Sequence, residues 1–556
     1  MMVEARDGGN WFETADRWVD VVETTGVPGS SSRGDLVMNR YSIRIIPVVA
    51  AVGLLLTQVS ASAAKPPGFV TAADPYLTLT VPGDVHPIIT VGDTIDDFLF
   101  EGIPDGVGMT KGPGHTVDVY VTHEQSTVPF PPLSGVIGPP RADFEDASVS
   151  KLTLDLATGA VVGSEVALPA SAGFIRFCSA FMAGKAEGFS KPTFFVNEES
   201  NDIIDVPAGA PYGPDPGLGD QRQAGYAVAL DPRNGQYTQI AGLGRYNHEN
   251  TVVVPGGWKK TMAILSTDDT FDGPSAQLYL YLAKNDRDVW KDRGDLWAFR
   301  VTSKNGAAVN PAHPFNGAND YLDLQPGDDM TGEFIRVPDD IADGTTGAAP
   351  QQALEDWSNA NNVFQFIRLE DIATDVHDPR VVYIADTGRS RVVPDPSTGR
   401  LVRGPGGTVG QADNGAMFKM VFNANDPKIV DSLTVLAQGD QPGNDLYVPF
   451  VSPDNVGVSA NSLMVQEDAD NAKIWRYDLD TGGWDVVATV VDPDGESSGI
   501  VDASAWFGPG SWLLTVQAHG TDQDSEVVPN PLGPGFPDLT IKREDGQLLR
   551  ITIPGS

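Results

Sequence analysis

A single cysteine, Cys178, stands among 556 residues. No disulfide can form within the chain, and a lone thiol is left with two roles, inert core filler or thiolate ligand to a soft or borderline metal. Basic residues are also scarce: 37 Lys and Arg face 75 Asp and Glu, a formal net charge of −38. Such a surface repels phosphate backbones and anionic lipid heads, so nucleic acid and anionic membranes are not expected as partners. Long apolar runs are missing too, since the most apolar stretch, residues 45–56, is too short for a comfortable membrane span. The chain further shows no Ser-His-Asp arrangement, P-loop or zinc-type Cys/His spacing, which removes those chemistries from the function classes.

The short apolar stretch has a reading of its own. Met38, Arg40 and Arg44 supply a basic start, residues 45–56 an apolar middle, and residues 60–64 small cleavage positions, the layout of a secretory signal. The acidic residues before Met38 fit no such start. Residues 1–37 are expected to be a non-native extension, residues 38–64 a signal peptide, and residues 65–556 one exported domain with no membrane span, secreted or periplasmic and monomeric. Without disulfides, a large core or bound metals must stabilise it.

Gly 60 and Pro 43 exceed ordinary usage while hydrophobic residues reach 41%, which describes a chain that turns often around a real core. Beyond residue 65 short β-runs alternate with Gly, Pro and Asp-rich turns. Six of them share a design, an apolar strand tipped by an acid or histidine: residues 117–124 ending in His123-Glu124, 193–199 in Glu198-Glu199, 261–269 in Asp268-Asp269, 381–386 in Asp386, 462–468 in Glu467-Asp468, and 512–519 in His519. Residues 226–235 and 474–482 read as strand, tight turn, strand. This pattern predicts an all-β fold, a six-bladed β-propeller with long inserted loops near 207–223 and 305–352 and a few short helices, with a β-sandwich as the rival. Inner strands of a propeller would aim their tips at one axial opening, so the tip acids and the thiol are expected to converge on a metal cluster.

Further clusters join the tips. Residues 244–250 set His248 beside Glu249, and Arg368 lies two positions from Glu370, which places both on one face of an extended chain. Pro453-Asp454-Asn455 reads as a turn entering the next blade, and Glu496 precedes the last one. Carboxylates suit calcium or iron, and one thiolate favours iron over calcium. Several cations held by acids would reverse the local sign of so anionic a protein and so admit an anionic substrate.

Taken together, Cys178 with Asn197-Glu198-Glu199, the Gly244–Glu249 element, Arg368-Leu-Glu370-Asp371, Ser452-Pro-Asp-Asn455, Gln466-Glu-Asp468 and Val516-Gln-Ala-His519 resemble the PhoX-type secreted alkaline phosphatases over about residues 117–520. The resemblance implies a six-bladed propeller with ferric iron (Fe3+) and calcium (Ca2+) at its axis and a small phosphate ester as substrate. It implies a thiolate ligand at Cys178, carboxylate ligands at Glu198 or Glu199, Glu249, Glu370 and Asp468, a further acid at Asp386, and a phosphate-binding arginine at Arg368. Two features depart from the family pattern: residues 179–191 lack its glycine-rich, Trp-containing stretch, and Arg40 and Arg44 are not adjacent as in a twin-arginine signal. A calcium-dependent propeller lactonase or other hydrolase, and a non-catalytic, calcium-stabilised binding propeller, are the alternative readings.

Overall fold

The computed structural model describes residues 68–124, 146–270, 276–493, 495–518, 526–528, 539–541 and 545–556. The chain divides into two units, Met1–Lys65 and Pro66–Ser556, and every described residue belongs to the second. The expected signal segment and His519 lie outside the described residues.

Among the described residues the architecture is all-β and propeller-like, with four sheets of four or five strands, one large sheet and four two-stranded ribbons. Pro104–Lys111, Thr116–His123, Ser148–Asp155 and Val161–Leu168 form one four-stranded sheet, and Phe177–Ala183, Thr193–Glu198, Ala227–Asp231 and Gln236–Ile240 the next. Pro453–Val458, Ser462–Glu467, Lys473–Asp478 and Trp484–Val490 take Leu77–Leu79 as a fifth strand. In the last small sheet Gly495–Asp502, Ser511–Ala518 and Asp545–Thr552 are completed by Asp84–Thr90. Each is an antiparallel meander whose turns carry the expected chemistry. At 231–236, for example, the Asp231 side chain accepts the Arg233 amide and Gly235 supplies a φ of +68°.

The large sheet differs from the separate radial sheets expected. His248–Val254, Met262–Asp268, Leu278–Ala283 and Asp295–Lys304 form one half, and Leu369–Thr374, Val381–Asp386, Ala416–Phe422 and Ile429–Gln438 the other. Met330–Arg336, from the inserted stretch 305–352, pairs with Asp295–Lys304 on one side and Ile429–Gln438 on the other. One inserted strand thus covers two outer edges that would otherwise present unpaired amides and carbonyls. Among the described residues α-helix is confined to Pro350–Ala360 and three four-residue turns, Asp286–Val289, Asp339–Ala342 and Ser504–Phe507. Among the described residues no helix is long and apolar enough to cross a membrane.

The first strand of each four-strand set packs against the first strand of the next. Pro104–Lys111 meets Phe177–Ala183, then follow His248–Val254, Leu369–Thr374, Pro453–Val458 and Gly495–Asp502, which returns to Pro104–Lys111. The approach is close enough to demand glycine: a Cβ on Gly106 would lie 2.5 Å from the Ala180 nitrogen, and Gly499, at φ +59°, would put one 2.3 Å from the Asp105 carbonyl. Apolar side chains such as Phe299, Phe334, Phe364, Phe366, Phe418 and Phe422 fill the core between the two halves of the large sheet. The N-terminal strand Asp84–Thr90 closes on the C-terminal strand Asp545–Thr552, so the two ends of the described domain staple one another. Leu549, fully buried on that closing strand beside Trp512 and Ile551, is expected to cost about 3 kcal/mol when replaced by alanine, measured by urea unfolding.

Candidate metal centre

All six inner strands carry a β-bulge; in the sixth Gly499 and Ile500 oppose Leu514 alone, and in the other five the first bulged residue is an acid or the cysteine. In Pro104–Lys111 pairing jumps from Pro104↔His123 to Val107↔Val121, so Asp105 and Gly106 oppose Thr122 alone. The same two-against-one arrangement sets Cys178 and Ser179 against Asn197, and Glu249 and Asn250 against Thr267. It recurs with Glu370 and Asp371 against Ala385, and with Asp454 and Asn455 against Gln466. A bulge bends its strand and re-aims a side chain that a regular pleat would send elsewhere. The first residue of each of these other pairs, Asp105, Cys178, Glu249, Glu370 and Asp454, lines one cavity of about 270 Å³.

The neighbouring strands add the residue just past their tips. Glu124, Glu199 and Asp468 line the same cavity, as do Glu496 from the sixth inner strand and Gln517 opposite it. Among the described residues donor atoms gather in five overlapping groups, each within 4.8 Å: Asp105, Glu124 and Cys178; Cys178, Glu199 and Glu249; Glu199, Asp269 and Glu370; Glu249, Glu370 and Asp454; Asp454, Asp468 and Glu496.

The second residues of the bulges make a polar belt beneath. Ser179 Oγ donates to Glu249 Oε1 at 2.5 Å and accepts from Asn455 Nδ2 at 3.1 Å. Asn250 donates to Asp371, which also accepts the Val456 amide at 2.9 Å, and the Gly499 amide donates to Asn455. Beyond this belt the axis continues into a mainly apolar space of about 210 Å³ walled by Val107, Val252, Ile372, Val456 and Ile500. The belt therefore separates a charged chamber from a greasy one.

Burial pushes the Asp105, Glu199, Glu249, Glu370, Asp454 and Glu496 carboxyls well above the usual range, and neighbouring acids add to the rise. Burial and the same acids push the Cys178 thiol up as well; its sulfur lies 3.4 Å from Asp105 Oδ2. Asp105 Oδ1 and Glu249 Oε2 are buried and accept no hydrogen bond. Unsatisfied buried oxygens among crowded acids are what a cation would relieve. The donor set fits such ions: carboxylate corners suit hard cations, and the corner containing Cys178 suits a softer one.

Among the described residues two guanidiniums reach the chamber. Arg368 is held by both oxygens of Asp269, at 2.8 and 2.6 Å, with Glu370 at 3.4 Å, and its side chain is 20% exposed. Arg176 stands at the mouth, 3.7 Å from Glu124.

Of the residues singled out from sequence, Cys178, Glu199, Glu249, Arg368, Glu370 and Asp468 come together here. Glu198 and Asp386 do not. Successive residues of a strand face opposite ways, so Glu198 points back into the protein, onto Arg222 and the amides of Ile175 and Tyr226. Asp386 likewise accepts the amides of Ile367, Arg368 and Gly388. His123 and His248 are buried, bonded to Ser150 and Ser266, and burial lowers both, to about 4 and about 3. Asp105 escaped the sequence reading altogether. Its signal was an echo: Pro104-Asp-Gly-Val-Gly108 repeats Pro453-Asp-Asn-Val-Gly457, and both enter an inner strand through the same bulge.

A family model described as alkaline phosphatase PhoX matches residues 196–495. The chain belongs to this family. The matched PhoX span contains Glu199, Glu249, Arg368, Glu370, Asp454 and Asp468, whereas Asp105, Glu124, Cys178 and Glu496 lie outside it. No curated protein matches the chain. Among solved structures it is similar to the NanB sialidase of Streptococcus pneumoniae, with 6% identity, 80% of this chain and 68% of that one covered, and a TM-score of 0.34. A puromycin-hydrolysing peptidase of Mycobacterium tuberculosis follows, with 9% identity, 78% and 57% covered, and a TM-score of 0.27. An auxiliary nutrient binding protein from Bacteroides thetaiotaomicron shows 8% identity, 80% and 97% covered, and a TM-score of 0.24. These likenesses are too distant to bear on the PhoX site.

Proposed function

We propose that this protein is an exported, six-bladed propeller phosphatase that hydrolyses small phosphomonoesters with iron and calcium held at its axis. The observation that carries the reading is the meeting of the only thiol, eight carboxylates and two guanidiniums in one chamber of a protein from an alkaline phosphatase family. The cyclic contact of six first strands supports six blades, two of them fused through Met330–Arg336. Export rests on the signal pattern of residues 38–64.

In this reading the Cys178 corner, with Asp105, Glu124, Glu199 and Glu249, holds iron, and the corners built from Glu370, Asp454, Asp468 and Glu496 hold calcium. The bound cations would reverse the chamber's sign, polarise phosphoryl oxygens and neutralise charge that develops in the transition state. The chain's own residues do the rest. Arg368, whose Nε and Nη2 fork is locked on Asp269, fixes a guanidinium charge at the wall, suited to non-bridging phosphate oxygens. The polar belt holds Glu249 through Ser179 and closes the floor of the chamber, so a phosphate enters only from the mouth.

Arg368→Ala is expected to lower kcat/KM for an aryl phosphate about 100-fold, the size of a lost transition-state contact. Arg368→Lys should recover little of it, because a point charge cannot replace the fork. The reading itself is tested on protein produced from Met38, by elemental analysis and by aryl-phosphate hydrolysis at alkaline pH before and after prolonged chelation. Activity indifferent to chelation, or none from protein fully loaded with iron and calcium, would refute it.

A further inference from the structure

The inserted segment 207–223 looks in sequence like a surface loop, yet it sends two charged side chains to the back of the metal chamber. Arg222 is wholly buried and grips wholly buried Glu198 with both terminal nitrogens, Nη1 to Oε2 at 2.9 Å and Nη2 to Oε1 at 2.6 Å. Those nitrogens also donate to the carbonyls of Gly173, at 2.9 Å, and Gln223, at 3.1 Å. The Glu198 oxygens accept the amides of Ile175, at 3.0 Å, and Tyr226, at 2.9 Å. One ion pair therefore joins three stretches of chain.

Each stretch leads directly to a chamber residue. Ile175 lies three positions before Cys178, and Glu198 is the neighbour of Glu199, whose own amide donates to the Arg176 carbonyl at 2.9 Å. Asp215, from the same segment, takes Arg245 in a fork with both contacts at 3.0 Å, four residues before Glu249. Asp215 also accepts the Gln223 amide at 2.7 Å. The Tyr226 ring sits against the Arg245 guanidinium, 3.9 Å away, and the Arg222 guanidinium lies 4.7 Å from the Tyr212 ring. Cys178, Glu199 and Glu249 form one of the five donor groups, and these two forks hold the chain beside all three.

We infer that segment 207–223 is a positioning strut for that donor group, acting through Arg222–Glu198 and Asp215–Arg245; the inference rests on the metal-binding reading above. Buried charges are kept in place by their pairing, and a guanidinium with several acceptors fixes orientation as well as distance. Partners behind metal ligands typically change affinity 10–100-fold when removed. Arg222 and Glu198 touch no substrate in this arrangement; they act by fixing the thiol and Glu199.

The test pairs Arg222→Met with Glu198→Gln in the full chain, so that no lone charge is left buried. The readouts are the melting curve, the rate at which an aromatic disulfide reagent modifies Cys178 in chelator-treated native protein, and iron and calcium affinity by competition. Expected is a folded variant whose thiol reacts about 10-fold faster and whose iron affinity falls about 10-fold. Removing the outer-strand pair Arg476–Asp485 by Arg476→Met with Asp485→Asn should move neither. Should the double variant fail to fold, Arg222→Lys decides, with intermediate values expected. Thiol reactivity equal to the parent in a folded variant overturns the strut. A parent that binds no iron or calcium would instead overturn the functional reading, while the thiol rates would still report on positioning.

Discussion

Replacing Cys178 by serine is expected to strip iron from the protein and lower aryl-phosphate turnover by at least about 100-fold, since losing a ligand exceeds the 10–100-fold cost of losing a partner behind one. Serine is close in size, and the site already meets polar groups, so the fold should survive with a melting point within a few degrees of the parent. Calcium should be largely retained. The thiol belongs to two of the five donor groups, whereas the groups built on Glu370, Asp454, Asp468 and Glu496 do not include it. The variant therefore separates the metals: iron-to-protein stoichiometry near zero, calcium near the parent value, both by elemental analysis. Full iron content and full activity in the serine protein would mean that Cys178 is core filler, whatever its neighbours.

Metal removal should reverse the way stability depends on pH. The chamber acids Asp105, Glu199, Glu249, Glu370, Asp454 and Glu496 are raised well above their usual values by burial first and like charge second. Asp371 in the belt and Asp386 behind it are raised to about 7, again by burial. Without cations each such carboxyl holds its proton more tightly folded than unfolded. Its contribution is complete below the ordinary carboxylate range and drains as pH rises through the folded-state value, about 1.4 kcal/mol for each pKa unit. The chelated protein should thus melt about 5–10 °C lower at pH 8 than at pH 5. The proposed calcium and iron would replace those protons, would bind more tightly as pH rises, and should restore the melting point most at the alkaline end. A chelated protein whose melting temperature stays level from pH 5 to pH 8 would show that the protein itself compensates the cluster.

Much of the chamber was visible in the chain before its fold, though one residue out of place. The strand tips drew attention to paired acids such as Glu198-Glu199, but in each pair the pleat decides which member faces the axis. Glu199, Asp269 and Asp468 do, whereas Glu198 and Glu467 turn back to accept donors from Arg222 and the Trp475 indole. Glu249 and Glu370 were legible because an acid beside an apolar strand demands a partner. Asp105 and Asp454 were not, because each sits at the start of its strand, where a Pro-Asp pair reads as a turn. Only the pairing register reveals the bulge that points them inward. Met330–Arg336 was hidden for a related reason: a single alternating strand in an acidic, glycine-rich stretch has no hairpin partner beside it, and its two partners, Asp295–Lys304 and Ile429–Gln438, belong to different strand sets of the large sheet.

Composition and local pattern alone determined that this chain is all-β, free of disulfides, repellent to polyanions, and rich in acids poised at strand ends, since each of these depends on side-chain chemistry and the two-residue period of a strand. Tertiary structure decided which acids meet the thiol and which merely brace it. That choice is made by bulges, by strand register and by the reach of an insertion back across the fold, and all three arise only when distant segments pair.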